Sequence, residues 1–524
     1  MLNISRLPDD VRICLPEGKE LTDARVRFEL EGRKLKVYLA AEQDEVMFVR
    51  LRWKYHTAEP VKVMGDTWER SSADLTWHSL GEDVYMPWYF MADFGRAVVG
   101  CGVMVQPNSF VSFEYDDRGV SAWCDVRCGG RGVALSGREL LVATVVCESY
   151  EGVSAFEATK RFCKVMSPNP VLPKFPVYGS NNWYYAYGKS SGEEIRNDAK
   201  IIADLTEGLE NRPFMVIDDG WTPNACAGPW IPNENHVDMK AIADDFKKIG
   251  VRPGIWMRPL RDLDAMEKHP EWLSECVAVD GKRYLDPSHP EVKEYLKKTI
   301  STIRSWGFEL LKHDFTMWDL FGAFGGAHNP VITAFKDWSF YDRSKTSAEI
   351  TLDLYKLIRE AFDGGMILSC NAISHLTAGL AELNRTGVDT SGYNWHRTRS
   401  AGINTLAFRL AQHGAFYAID ADCVGILDKN IDWRLNRQWL DLLAKSGTPL
   451  FVSAQPQSLT DEMKEELKKA YAINSVQKDI AEPVDWQYNK IPSVWMINGE
   501  RVEYDWVLDT YPAIYHSMFN FFYK

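Results

Sequence analysis

No apolar run in the chain approaches the roughly 18 residues of a membrane-spanning helix, so a helical span is excluded. Clustered Lys and Arg are also missing, and the formal net charge is -13. Nucleic acid is therefore not an expected partner, because phosphate contacts need grouped cations. The N-terminal MLNISRLPDDVRICLPEGKE lacks the basic start and long apolar centre of a signal peptide, which predicts a cytoplasmic location. The ten cysteines show no zinc spacing: Cys124 and Cys128 stand four apart with no second pair beyond. Free thiols are expected, with neither metal nor cofactor. What the chain has in surplus is aromatic, with 19 Trp and 22 Tyr, the side chains that stack on flat apolar faces such as sugar rings.

The 524 residues exceed one simple domain, and the 45% hydrophobic, 25% charged composition is that of a globular protein. Residues 1–170 read as an antiparallel β-sandwich. Met47, Val49, Leu51 and Trp53 alternate with Val46, Phe48, Arg50 and Arg52, and similar runs recur at Val26–Leu30, Ala97–Val105, Phe110–Tyr115 and Leu140–Val146. The proline-rich SPNPVLPKFP (Ser167–Pro176) then marks a linker. Within 171–456 the rhythm becomes strand, loop, helix. Strands are predicted to end at Trp183, Asp219, Met257, Phe315, Asn371, Asp389, Asp422 and Pro456. Helices between them keep one apolar face, as in Met239, Ile242, Phe246 and Ile249 before Gly250, or Val292, Leu296, Ile300 and Ile303 between Pro290 and Gly307. Eight such alternations predict a (β/α)8 TIM barrel. The stretch 457–524 reads as a small C-terminal β domain that opens on a charged helix and contains an Asn498-Gly499 hairpin turn.

Active sites of such barrels lie at the C-terminal ends of the strands. Trp183, Asp218, Asp219, Lys312, Asp314, Asn371, Arg385 and Asp389 all fall at or near those predicted ends. In ELLKHDF (Glu309–Phe315) the period of two turns Lys312 and Asp314 to the same side, and a cation there holds the carboxylate ionised. A structural ion pair fits the same residues. Asp314 and Asp389, on different strands of one barrel mouth, meet the minimum for glycosidic cleavage: one ionised carboxylate and one protonated acid. Double displacement requires carboxyl groups about 5–5.5 Å apart. Arg385, four residues before Asp389, can reach a sugar hydroxyl or the nucleophile, and the acid role of Asp389 requires a raised pKa. Asp218 and Asp219 both line a pocket only if their strand ends between them, which Gly220 permits, and their carboxylates suit vicinal hydroxyls. Trp183 and Trp256 are candidate stacking walls, with burial in the core as the competing reading of Trp256.

These segments together resemble the retaining α-galactosidases of glycoside hydrolase clan D, families 27 and 36. VIDDGW (Val216–Trp221) is similar to the family's paired aspartates that bind the 4- and 6-hydroxyls of galactose, and LLKHDF to its lysine-x-aspartate nucleophile strand. RTGVD (Arg385–Asp389) resembles its acid/base segment; YLDPSHPEV (Tyr284–Val292) and GIW (Gly254–Trp256) also fit. The resemblance makes Asp314 the nucleophile and Asp389 the acid/base, and places Cys370 on a strand where the family often has a cysteine. It implies a small carbohydrate as substrate. Departures lie at Asn371, where family 27 has a glutamate contacting the 2-hydroxyl, at Ala372-Ile373-Ser374 in place of the glycine-rich run of family 36, and at Trp256-Met257-Arg258-Pro259 in place of its Phe-Glu-Pro-Glu.

The long aromatic loop from Thr316 to Ser347 is expected to wall the sugar site or to pack between subunits of a homo-oligomer. Rival readings are a related glycosidase for another sugar with an axial 4-hydroxyl, a raffinose-type transglycosidase, and a barrel that binds glycans without cleaving them. From another class comes a divalent-metal enzyme built on Asp218, Asp219, Asp314 and Asp389.

Overall fold

Short strands of alternating lumen and helix faces generate the central unit. In the computed structural model, which describes residues 2–57, 59–71, 74–80, 84–325, 329, 331–332, 337–428 and 431–507, they form one parallel sheet. Its strands are β1 (Tyr178–Asn181), β2 (Phe214–Ile217), β3 (Arg252–Met257), β4 (Leu310–His313), β5 (Met366–Ser369), β6 (Leu383–Arg385), β7 (Ala418–Asp420), β8 (Cys423–Ile426) and β9 (Leu450–Ala454). β7 pairs with β6 and β8 with β9, and only Ala421 and Asp422 separate them. They are two halves of one stave, broken where Asp422 takes φ +75, and the break closes the sheet into an eight-staved TIM barrel.

Period two explains what the lumen holds. Phe214 and Val216 on β2, Leu310 on β4, Leu368 on β5 and Leu383 on β6 share one buried cluster inside the barrel, while Leu311 packs outward with the helices. The next lumen positions up are polar: Asp218 follows Val216, Lys312 and Asp314 follow Leu310, and Arg385 follows Leu383. Most of the strands end two residues earlier than the sequence predicts, as where ladder pairing stops at Ile217 and His313; β6 ends four residues early at Arg385, and β3 ends at Met257 as predicted.

The helices start and stop where local chemistry directs. Ser191 with Glu194 and Thr346 with Glu349 form capping boxes, and Pro290 opens the helix Pro290–Ser305. Ile249 is the exception to the predicted apolar face, being a partly exposed C-cap.

The N-terminal region is a sandwich of a five-stranded and a seven-stranded antiparallel sheet. Phe90 of the larger sheet packs on Phe113 and Tyr115 of the smaller, with ring centroids 5.6 and 5.7 Å apart. A helix, Ala155–Met166, departs from the all-β expectation. It lies against strand Ala97–Val103, where a Cβ on Gly100 would meet Phe162 at 2.4 Å. Beyond the barrel, Asp461–Asn474 packs on helices Gly192–Leu205 and Trp433–Lys445, so this helix joins the barrel's outer ring. A three-stranded sheet follows, turned at Asn498 (φ +51) and Gly499 (φ +82) as a type I′ hairpin requires. Among the described residues no helix is long and apolar enough to cross a membrane.

Candidate active site

A cavity of about 210 Å³ opens at the C-terminal ends of the strands. Nine of the ten residues expected there line it: Trp183, Asp218, Asp219, Trp256, Lys312, Asp314, Asn371, Arg385 and Asp389. The tenth, Cys370, lies beneath the cavity in the lumen cluster, 1% exposed. As the last apolar layer under the site, it packs rather than lines.

Asp314 follows directly on β4, and Phe315 leaves the strand direction at φ +62. Its Oδ1 accepts from the Phe315 amide at 2.7 Å and from the Asn371 side-chain amide; its Oδ2 accepts from the Trp256 indole at 3.0 Å. Burial opposes its ionisation, but Lys312, Arg70 and these donors outweigh that and hold the carboxyl at about 2. Trp256 is thus a buried donor to Asp314 more than an exposed wall, 2% exposed and tilted against Trp230. Asn371 takes φ +48, which brings its amide onto Asp314 and leaves its Oδ1 without a hydrogen-bond partner.

Lys312 does not ion-pair with Asp314. Its ammonium lies 2.6 Å from Asp218 Oδ2 and acts on Asp314 from farther off. Asn181 donates to the same Asp218 oxygen at 2.7 Å. β2 ends before Asp218, one residue earlier than needed to turn both aspartates inward, and Gly220 at φ +107 completes the turn. A side chain at Gly220 would meet the Gly188 carbonyl at 2.3 Å. Asp219 accepts from the Gly220 and Cys226 amides at 2.8 and 3.0 Å, and from the Cys226 thiol at 2.9 Å.

Asp389 stands on the loop after β6, with its side chain 37% exposed. Arg385 lies 3.0 Å from its Oδ1, so this arginine serves Asp389 and not the nucleophile. Arg70 lies 3.2 Å from the same oxygen. Burial raises the Asp389 carboxyl, Arg385 and Arg70 pull it down harder, and the charge of Asp314 pushes it up. The net direction is downward, opposite to that expected of an acid in the unliganded site.

Sequence reasoning missed Arg70, which comes from the N-terminal sandwich. Segment 66–71 inserts into the barrel end: Ser71 bridges Thr386 and Val388, and the buried Asp66–Arg409 pair, at 3.1 Å, anchors it. Arg409 also donates to the Glu69 carbonyl at 2.6 Å. Nothing in the local pattern DTWERS announces this role. Asp422 was also missed, although it ended a predicted strand. It accepts from Thr390 and Tyr184 and pairs with Arg385 at 2.5 Å.

The loop after Asp314 begins as a helix, Thr316–Phe321, and returns Phe324 to the cavity wall beside Phe315. Trp338 packs back on Gly129 of the sandwich of the same chain. Positions 326–328, 330 and 333–336 of this loop lie outside the described residues. Among the described residues, no group of three or more His, Cys, Asp or Glu side chains converges in a way that could hold a metal.

The folds of solved glycosidases match this arrangement over nearly the whole chain. An α-galactosidase from Thermus thermophilus, solved with 4-nitrophenyl α-D-galactopyranoside, superposes with a TM-score of 0.64 at 17% identity, covering 94% of this chain and 99% of that one. The family 36 α-galactosidase AgaA from Geobacillus stearothermophilus gives 0.64 at 15% identity, covering 93% and 79%. This chain has the fold of the family 36 α-galactosidases. The galactosidase domain of the α-galactosidase–sucrose kinase AgaSK gives 0.61 at 16% identity, covering 96% and 78%. No family model matches the sequence, nor does any curated protein.

Proposed function

We propose that the chain is a retaining exo-α-glycosidase that hydrolyses terminal α-galactosides by double displacement. The observation that carries this reading is the pairing of Asp314 and Asp389 in one small cavity at the strand ends. Three donors orient the Asp314 carboxylate, which is kept free of its proton, and it attacks the anomeric carbon. Asp389 protonates the leaving oxygen and then activates water.

The free site holds Asp389 low, so the bound sugar has to supply part of the acid's strength. A sugar covering its exposed side chain removes water from the carboxyl and raises its pKa. The charge of Asp314 also raises it. Once Asp314 is consumed in the glycosyl-enzyme that charge is gone, the Asp389 pKa falls back, and its ionised carboxylate is ready to act as the base. Asp218 and Asp219 are pre-oriented by Lys312, Asn181 and Cys226 to accept from galactose hydroxyls. Reported ligands of the fold relatives fit the reading: stachyose in the Thermus enzyme and raffinose in a variant of AgaA.

The deciding experiment follows hydrolysis of 4-nitrophenyl α-galactoside by NMR at early times. α-Galactose as the first-formed anomer is expected. β-Galactose first, or no cleavage of any aryl α-glycoside in a panel, overturns the proposal. An added acceptor sugar in the same assay separates hydrolysis from transfer.

A further inference from the structure

A second cavity, of about 340 Å³, lies at the opposite end of the barrel from the carboxylates. It is larger than the catalytic cavity and falls in the range of small-molecule sites, roughly 300–1,000 Å³. Its walls come from helix Ala155–Met166, the linker ahead of β1, the starts of β7 and β9, and the segment after Asn474.

The chemistry of this floor cavity is unlike that of the acidic chain around it. Lys160, Lys164 and Lys478 face it against one carboxylate, Asp479, while the whole chain carries -13. Lys160 is already paired with Glu157 at 2.5 Å. Lys164 and Lys478 have no ion-pair partner among the described residues. Among the described residues the Lys478 ammonium donates to the Val476 carbonyl alone, at 3.5 Å, and burial pushes it down to about 8. An unpaired cation held partly out of water favours an arriving anion.

Beside the lysines stand His413 and Asn474. The Nδ1 of His413 accepts from the Ile419 amide at 3.2 Å, so the ring proton sits on Nε2 as a third donor. Asn474 is 3% exposed; its amide nitrogen donates to the Thr448 carbonyl at 2.9 Å, and its Oδ1 is buried without any partner. That oxygen is sealed from any water-sized group, so Asn474 shapes the cavity floor and a ligand's contacts come from the lysines and the imidazole. Two ammonium groups and an imidazole N–H suit the three oxygens of a phosphomonoester better than the two of a carboxylate.

We propose that the floor cavity binds a small organic phosphomonoester, with its phosphate between Lys164 and Lys478 and its organic part filling the rest of the cavity. Such a ligand joins the helix that ends the sandwich to the base of the barrel, and stabilises the chain by mass action.

The test is titration calorimetry and thermal melting of the full chain with glucose 6-phosphate, inorganic phosphate and glucose. Glucose 6-phosphate is expected to bind one to one and raise Tm, inorganic phosphate to bind several-fold more weakly, and glucose not to register. In Lys164→Gln/Lys478→Gln, folding and hydrolysis stay intact while affinity falls about tenfold or more per lysine. Absence of binding by both phosphates overturns the proposal. So does undiminished binding in the double lysine variant, equal affinity of the wild type for inorganic phosphate, or displacement by galactose.

Discussion

Arg70 of the N-terminal sandwich lies 3.2 Å from the Asp389 carboxylate at the mouth of the barrel, though 319 positions separate them in sequence. The sandwich is therefore part of the electrostatics of the site. Arg70 and Arg385 share one oxygen of Asp389, and Asp422 shares Arg385.

Removing Arg70 takes away one of the cations that lower Asp389, so its pKa rises. The basic limb of the kcat/KM profile, which reports loss of the acid's proton, moves to higher pH in Arg70→Gln, by about one unit. Arg70→Lys keeps most of the original profile. A basic limb that does not move in Arg70→Gln means that Arg70 does not set the acid's strength.

The nucleophile titrates at the other end of the profile. With Asp314 held at about 2, the acidic limb of kcat/KM falls well below pH 4. Asn371→Ser removes a donor to the charged form, so the Asp314 pKa rises and the acidic limb moves upward. Its position in the two proteins is read from initial rates between about pH 1.5 and 6, each taken after brief exposure to the acid.

Azide separates the two carboxylates. Asp314→Ala loses at least about 10⁴-fold in activity, and azide restores turnover as β-galactosyl azide. Asp389→Ala loses about 10²–10⁴-fold on substrates that need a protonated leaving group and far less on nitrophenyl galactosides. Azide there yields the α-anomer. NMR of the azide products checks both roles, and exchanged anomers reverse the assignment.

Lys312 and Asp218 form a buried pair, at 10% and 4% side-chain exposure. Lys312→Met strands a carboxylate and costs about 3–5 kcal/mol, whereas Lys312→Met/Asp218→Asn recovers part of it. Urea unfolding of the two single variants and the double variant closes the cycle. Additive losses contradict the coupling.

Gly220 turns the chain so that both aspartates face the cavity. Gly220→Ala loses substrate affinity and at least about 1–2 kcal/mol of stability, since its Cβ meets a carbonyl and φ is positive. Gly32→Ala, also at positive φ but with nothing within 4 Å of the new Cβ, leaves activity unchanged. KM and Tm of the two variants separate the clash from the backbone preference.

The barrel and the residues at its strand ends are legible in the chain because strand periodicity is local. Leu310, Lys312 and Asp314 share a face by their spacing alone, and the same rule carries Val216 to Asp218 and Leu383 to Arg385. Spacing also set the acids apart from the apolar layer that contains Cys370, but it could not say where that layer stops. The helix at Ala155 was missed because its segment was read together with the strands before it. Its N-cap, Ser154, with Glu157 in the first turn, is a local signal that was there to read.

The pattern of the chain thus determined which side chains reach the barrel mouth, since a period of two constrains neighbours along one strand. Only closure of the barrel decided which of them touch. It gave Lys312 to Asp218 instead of Asp314, gave Arg385 to Asp389, turned the Trp256 indole onto the nucleophile, and brought Arg70 in from another sheet. Contacts across a lumen depend on the stagger of separate staves and on how a distant segment seats in the rim, and no local period encodes either.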